Sequence, residues 1–185
     1  MMNRNLVNLL GCLLISMAVG MGCGRSDEEK RIEQAKRDRP VKFAAARLEL
    51  AKKPAKVELS PEPFLKGNVV MLGATDGREP GYQAVPALNG LEAMTPEEVG
   101  TVILKECRST QRGVYRTSDN PPRELPAIAI DCEVSLIDKA SQKVYFSKIF
   151  QGKLSDETSV SQVSNSVASW PDQEINAFLA GLPKR

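Results

Sequence analysis

The sequence predicts an α+β fold: a small antiparallel β-meander of four to five strands, with a C-terminal helix packed on one face and one disulfide. Three observations predict it. From Ala127 to Ile137 the residues alternate, with Ile128, Ile130, Cys132, Val134 and Leu136 on one side and Ala129, Asp131, Glu133 and Ser135 on the other. That is the period of a strand with one buried and one wetted face, the mark of an antiparallel sheet. Near the C-terminus, Ile175, Phe178, Leu179 and Leu182 fall at i, i+3, i+4 and i+7, the stripe by which a helix packs on a sheet. Finally, setting aside Cys12 and Cys23 near the N-terminus leaves Cys107 and Cys132 as an even pair, which reads as a disulfide in an oxidising compartment. A redox-active dithiol prefers the short C-x-x-C spacing, which this pair lacks.

The chain opens with Arg4 followed by an apolar stretch from Leu6 to Val19, broken by Asn8 and Ser16 and closed by small residues. This is the pattern of an export signal over residues 1–22. The run falls short of the roughly 20 residues a membrane-spanning helix needs, so cleavage is expected rather than retention. Gly20-Met21-Gly22-Cys23 resembles a bacterial lipobox, with Gly20 and Met21 as departures. The resemblance implies lipid attachment at Cys23 and a chain anchored to a membrane, facing the periplasm or cell exterior. A second match, Leu9-Leu10-Gly11-Cys12, has almost no apolar run before it and is set aside.

Residues 23–59 read as a charged tether, partly helical or disordered. Residues 24 to 56 hold 11 Lys or Arg against 6 Asp or Glu, and these alternate in sign, so a solvated segment is expected rather than one bound to lipid headgroups. Ser26 with Glu29 forms a capping box, and Asp27 with Arg31 and Glu33 with Arg37 sit at i, i+4. A short polar helix without a face to bury follows from this. A second helix is expected over Val41 to Lys53, carrying Phe43, Ala46 and Leu50 on one side and ended by Pro54.

The globular domain is expected over 60–185. Asn68 to Leu72, between Gly67 and Gly73, reads as a buried strand, and residues 74–98, punctuated by Gly77, Pro80, Gly81, Pro86 and Gly90, as a long loop. Thr95-Pro96-Glu97-Glu98 signals one helical turn, but Gly100 and the β-branched residues after it indicate a strand to about Arg108. Val114 to Arg116 is a further short strand before the turn-rich Ser118 to Pro122. After the Ala127–Ile137 strand, the chain reverses at Asp138 to Gln142 into a strand over Lys143 to Gln151. The Ser-rich residues 155 to 169 read as a surface loop. In the terminal helix, Pro171 suits the first position, Asp172 and Glu174 the first turn, and Gly181 with Pro183 the end, while Trp170 is expected to staple its start, the alternative being an exposed binding aromatic.

Composition narrows the chemistry. The 185 residues include no histidine, and 25 Lys plus Arg balance 23 Asp plus Glu. Imidazole bases, His-containing triads and His-ligated metals are excluded, and there is no basic footprint for nucleic acid. The glycines around Asn68–Leu72 lack G-K-[ST] and any helix opening behind them, so they read as punctuation rather than a phosphate cradle. Asp76, Glu79, Asp131, Glu133 and Asp138 are the acids from which a carboxylate pair or a hard-cation site would be drawn, though their spacing is not diagnostic. Arg108, Arg112, Arg116 and Arg123 gather around the Cys107 to Cys132 loop as a weak anion signal. No catalytic residue, cofactor or metal follows from these patterns.

The stretch Gly100 to Gly152, with Pro171-Asp172-Gln173-Glu174-Ile175 and Leu182-Pro183, is similar to small uncharacterised exported bacterial proteins sharing a Pro-x-x-Glu-Ile helix, a resemblance that implies no activity. The function expected is a non-enzymatic cell-envelope lipoprotein that binds an envelope protein or cell-wall partner. The alternative is a His-free, carboxylate-dependent hydrolase or carbohydrate-acting enzyme. Two of the five acids meeting in a pocket with an apolar wall to raise one pKa would favour the enzyme.

Overall fold

The structure, a computed structural model, describes residues 26–154 and 170–185. The export leader, Cys23 and the Ser-rich stretch 155 to 169 lie outside the described residues. One five-stranded sheet organises the rest, with strands β1 Asn68–Thr75, β2 Gly81–Gln83, β3 Val99–Arg116, β4 Glu124–Asp138 and β5 Lys143–Phe150 in the order β2-β1-β3-β4-β5. Helix α1, Asp27–Leu50, precedes it and helix α2, Asp172–Ala180, follows. The fold is α+β as expected. The sheet, however, is mixed, because β1 runs parallel to β3 while the other pairings are antiparallel. After β1 the chain pairs β2 on the outer side and returns through 84–98 to start β3 beside the beginning of β1, where Asn68 faces Val99. Residues 74–98, expected as a loop, contain β2 and 3-10 turns at Pro86–Leu88 and Pro96–Glu98, and send Val85, Leu88 and Ala93 into the core.

Each strand follows from its side chains. The β-branched run Val102-Ile103 and the neighbouring Leu104 are nearly fully buried, and β3 continues well past Arg108 because its pairing with β4 absorbs Arg112 as a bulge between Gln111 and Gly113. The strand expected at Val114 to Arg116 is therefore the far end of β3. Gly100 is where the Lys66 backbone crosses closest. A Cβ there would meet the Lys66 carbonyl oxygen at 2.4 Å, so only glycine fits. The edge of β5 is partly covered by the chain before β1, where Glu58 N–H donates to the Val144 carbonyl and Val144 N–H to that of Lys56.

Both faces of the sheet are covered, which revises the expectation of a wetted row along β4. On one face Met71, Ile103, Val134 and Leu136 pack under Ile175, Leu179 and Leu182 of the terminal helix and its exit. On the other face Val70, Leu72, Val102, Leu104 and Ile137 pack with Phe43, and Ala129 and Ser135 are fully buried on that row.

The second face is closed by α1, which is one continuous helix where two were expected. Its start has the foreseen capping box between Ser26 and Glu29. It runs through Pro40, which forgoes one hydrogen bond to the carbonyl four residues back, at a point where a helix this long has others to hold it. Phe43 is fully buried and stacks on Tyr82 at 5.9 Å between ring centroids. Arg39 is only 2% exposed, pairing with Glu92 at 2.7 Å and donating to the Tyr82 hydroxyl at 2.8 Å. Arg39 and Phe43 thus pack with the sheet face and the segment that follows β2.

Cys107 and Cys132 face each other in register on β3 and β4 and are joined by a disulfide. Both are buried. Unreduced protein is expected to give a linked Cys107–Cys132 peptide by mass spectrometry, and reduction should lower stability by about 3 kcal/mol. Free thiols at both positions would contradict the pairing. Replacing Phe43 with Ala should cost about 3 to 5 kcal/mol in a urea unfolding experiment. Val41→Ala, at a side chain 76% exposed on the same helix, should be near neutral, and equal effects would mean α1 is not docked.

Candidate functional site

The five acids singled out from the sequence are dispersed, and each is already engaged. Asp76 accepts from the Ser109 N–H and hydroxyl at 2.8 and 2.9 Å, and these donors hold its pKa below the ordinary carboxylate value. Asp131 sits 2.6 Å from Arg112, the main cause of its lowered pKa, and also accepts from the Gly152 N–H. Asp138 is partly desolvated, yet Lys66, Ser141 and the Ala140 N–H outweigh that and leave its pKa low. Glu79 pairs with Arg47 at 2.8 Å. Of the four main clefts, one is lined by Asp138 and none by two of the five.

A close carboxylate pair does form, with a partner that sequence spacing did not indicate. Glu133 lies in register with Glu106 across β3 and β4, on the α1 face. Lys53, just beyond the end of α1, sits between them at 2.8 and 3.5 Å. The Lys53 ammonium, with the Ser147 hydroxyl, pulls the Glu133 pKa down from 4.5. This is the reverse of the raised pKa that a general acid needs at neutral pH. Three of the four arginines are likewise paired locally: Arg112 with Asp131, Arg116 with Glu124 and Arg123 with Asp119. Among the described residues no group of three or more Cys, Asp or Glu is placed to hold a metal ion, and no helix is long and apolar enough to cross a membrane.

A further concavity lies elsewhere, on the opposite face of the sheet at the start of α2. It is a cleft of about 510 Å3, walled by Met71, Val85 and Ile175, with Gln83, Asn176 and Trp170 at its margins and Lys105 at its base. Three local features of the sequence build it. Lys105 occupies the inward row of β3, between Ile103 and Cys107, and its side chain is only 7% exposed. Gly73 of β1 stands in register with Lys105 and places no side chain of its own beside it. The Gln83 amide lies across the space a side chain at 73 would take, with Nε2 only 2.0 Å from where its Cβ would be. Pro171, the residue at the helix N-cap rather than its first turn, sets Asp172 to receive the Lys105 ammonium and Trp170 to lie over it, 5.4 Å from ammonium to ring centroid. Trp170 is 43% exposed, so its ring faces the cleft and solvent rather than sealing the start of the helix.

The sequence carried one signal for this site. A lysine on an otherwise apolar strand row interrupts the pattern, and such an interruption marks a buried charge.

No family model and no curated protein sequence matches the chain. Among solved structures it is similar to a Xanthomonas campestris protein of the DUF330 family, at 14% identity over 69% of this chain and 91% of that one, with a TM-score of 0.24. At that score the likeness assigns neither fold nor function.

The engaged acids have a consequence for pH. Glu133 has a lowered pKa in the folded chain, so its contribution is complete above its unfolded value and is lost as pH falls through the folded one. Stability should therefore decline on acidification below about pH 4.5. In Lys53→Met the decline should be shallower, read as the change in urea midpoint between neutral and acidic buffer. An unchanged slope would mean Lys53 does not set the Glu133 pKa.

Proposed function

We propose that the chain is a non-enzymatic cell-envelope lipoprotein, exported by its leader and anchored through lipid on Cys23, whose folded part is a binding module for an envelope partner or ligand. The observation that carries the reading is the state of the acids. Asp76, Asp131, Glu133 and Asp138 are tied to cations or N–H donors with their pKa values lowered, and Glu79 is paired with Arg47, whereas the cleft over Lys105 offers an ion pair, an aromatic face and apolar walls, the furnishings of a binding site. The buried Cys107–Cys132 disulfide supports an oxidising compartment outside the cytoplasm. α1 gives the anchor its form. Its turns before Arg39 extend about 18 Å at the rise of a helix, so a lipid near Ser26 would hold the domain on a stiff, charged stalk rather than on loose chain.

Metabolic labelling with a palmitate analogue tests the anchor. Native chain should take up label and Cys23→Ser should not; an unlabelled native chain would remove the lipid from the proposal. The enzyme alternative is tested separately. A glycoside- or ester-cleaving activity that falls by about a hundredfold in Glu133→Gln, the size expected for loss of a general acid or base, would replace this reading.

A further inference from the structure

We infer that the cleft over Lys105 is a ligand site for a small monocarboxylate with an aromatic or apolar body, which displaces Asp172 from the lysine ammonium. The inference rests on the binding-module reading and narrows it to one site and one ligand chemistry. Lys105 is placed where an aliphatic residue would pack with Ile103 and Cys107, both at most 2% exposed. A buried ammonium in such a row is costly unless its partner is equally enclosed. Its partner is not enclosed: the Asp172 side chain is 55% exposed while that of Lys105 is 7% exposed. Asp172 can turn out to water, whereas Lys105 stays enclosed, and the carboxylate it then lacks is one an incoming ligand restores. The two halves of this ion pair are therefore unequal, and the enclosed half is the cation.

The anion is identified by what already occupies the position. Asp172 puts a carboxylate on the lysine, so the ammonium accommodates that group, and the first turn of α2 favours negative charge there as well. With a single ammonium and no other cation lining the cleft among the described residues, a dianion would be left under-compensated. The body of the ligand is set by the walls. Trp170 offers a half-exposed ring, while Met71, Val85 and Ile175 supply apolar contact. The Gln83 amide, lying over Gly73 beside Lys105, and the Asn176 amide line the cleft and can accept or donate a hydrogen bond.

Trp170 is the single tryptophan of the chain, so its fluorescence reports on this cleft alone. The full-length chain in neutral detergent is titrated with phenylacetate, with its uncharged near-isostere phenylacetamide, and with inorganic phosphate. Phenylacetate should give a saturable change of emission at about millimolar concentration, as suits so small a probe; the amide and phosphate should not. Asp172→Asn, which removes the competing carboxylate, should tighten phenylacetate severalfold, and Lys105→Met should weaken it about tenfold or more. Equal responses to phenylacetate and phenylacetamide, no saturable response, or unchanged affinity in Asp172→Asn would each overturn the site. If Lys105→Met does not fold, the acid-to-amide comparison and Asp172→Asn decide alone. Failure here with Cys23 labelling intact removes the site and leaves the anchored module; loss of labelling with phenylacetate binding intact does the reverse.

Discussion

β3 and β4 are paired from Thr101 opposite Asp138 to Arg116 opposite Glu124, and the Cys107–Cys132 disulfide lies partway along the ladder. Every other layer is laid against this hairpin. β1 joins its outer edge in parallel and β5 joins the other side, while both helices cover faces to which β3 and β4 contribute buried side chains. The arrangement suits a chain that must order long strands with a core of moderate size. A hairpin is local in sequence, so its closure costs little chain entropy. The disulfide then removes the registers in which a two-residue slip would still keep hydrophobic residues inward. Without that fixed register, neither Lys105 nor Glu106 would meet its partner.

How much of this was legible depended on whether a segment's structure is decided locally. The alternation along Ala127 to Ile137 and the stripe of Ile175, Phe178, Leu179 and Leu182 are self-contained, and the structure places them as a strand and a helix. The single turn at Pro96–Glu98 leading into a strand was legible for the same reason. β2 was not, because Gly81-Tyr82-Gln83 has no pattern of its own and is a strand only through its pairing with β1. The parallel course of β1 was likewise hidden, since strand direction depends on a return path that residues 84–98 do not announce. α1 was missed as a packed helix for a different reason. Its contact with the sheet relies on Arg39, and periodicity counts an arginine as solvent-facing unless a distant Glu92 is known to await it.

The acids show the same limit from the other side. Asp131 and Glu133 were read as ordinary members of a wetted row, and both are indeed ionised. But the row is not wetted throughout: Ala129 and Ser135 flank them in full burial, and the docking of α1 brings Lys53 to Glu133. What looked like surface is an electrostatic seam between helix and sheet. Its low pKa values come from partners supplied by other elements, which no local reading of β4 contains.

Two cations are buried among the described residues, and the contrast between them separates structure from site. Arg39 is enclosed together with Glu92, whose side chain is 12% exposed, and is further held by the Tyr82 hydroxyl and the Met94 sulfur. Opening that cluster would strand charge on both sides, so it behaves as a lock that fixes α1, even though Arg39 Nε itself finds no acceptor. Lys105 has one carboxylate and one aromatic face, both reaching out to solvent from the start of α2. Removing Asp172 strands only the lysine, and an incoming carboxylate restores it. The first cation is committed to the fold, while the second keeps an exchangeable partner, and that difference in enclosure, rather than any difference in charge, is what makes the Lys105 cleft a place for a ligand.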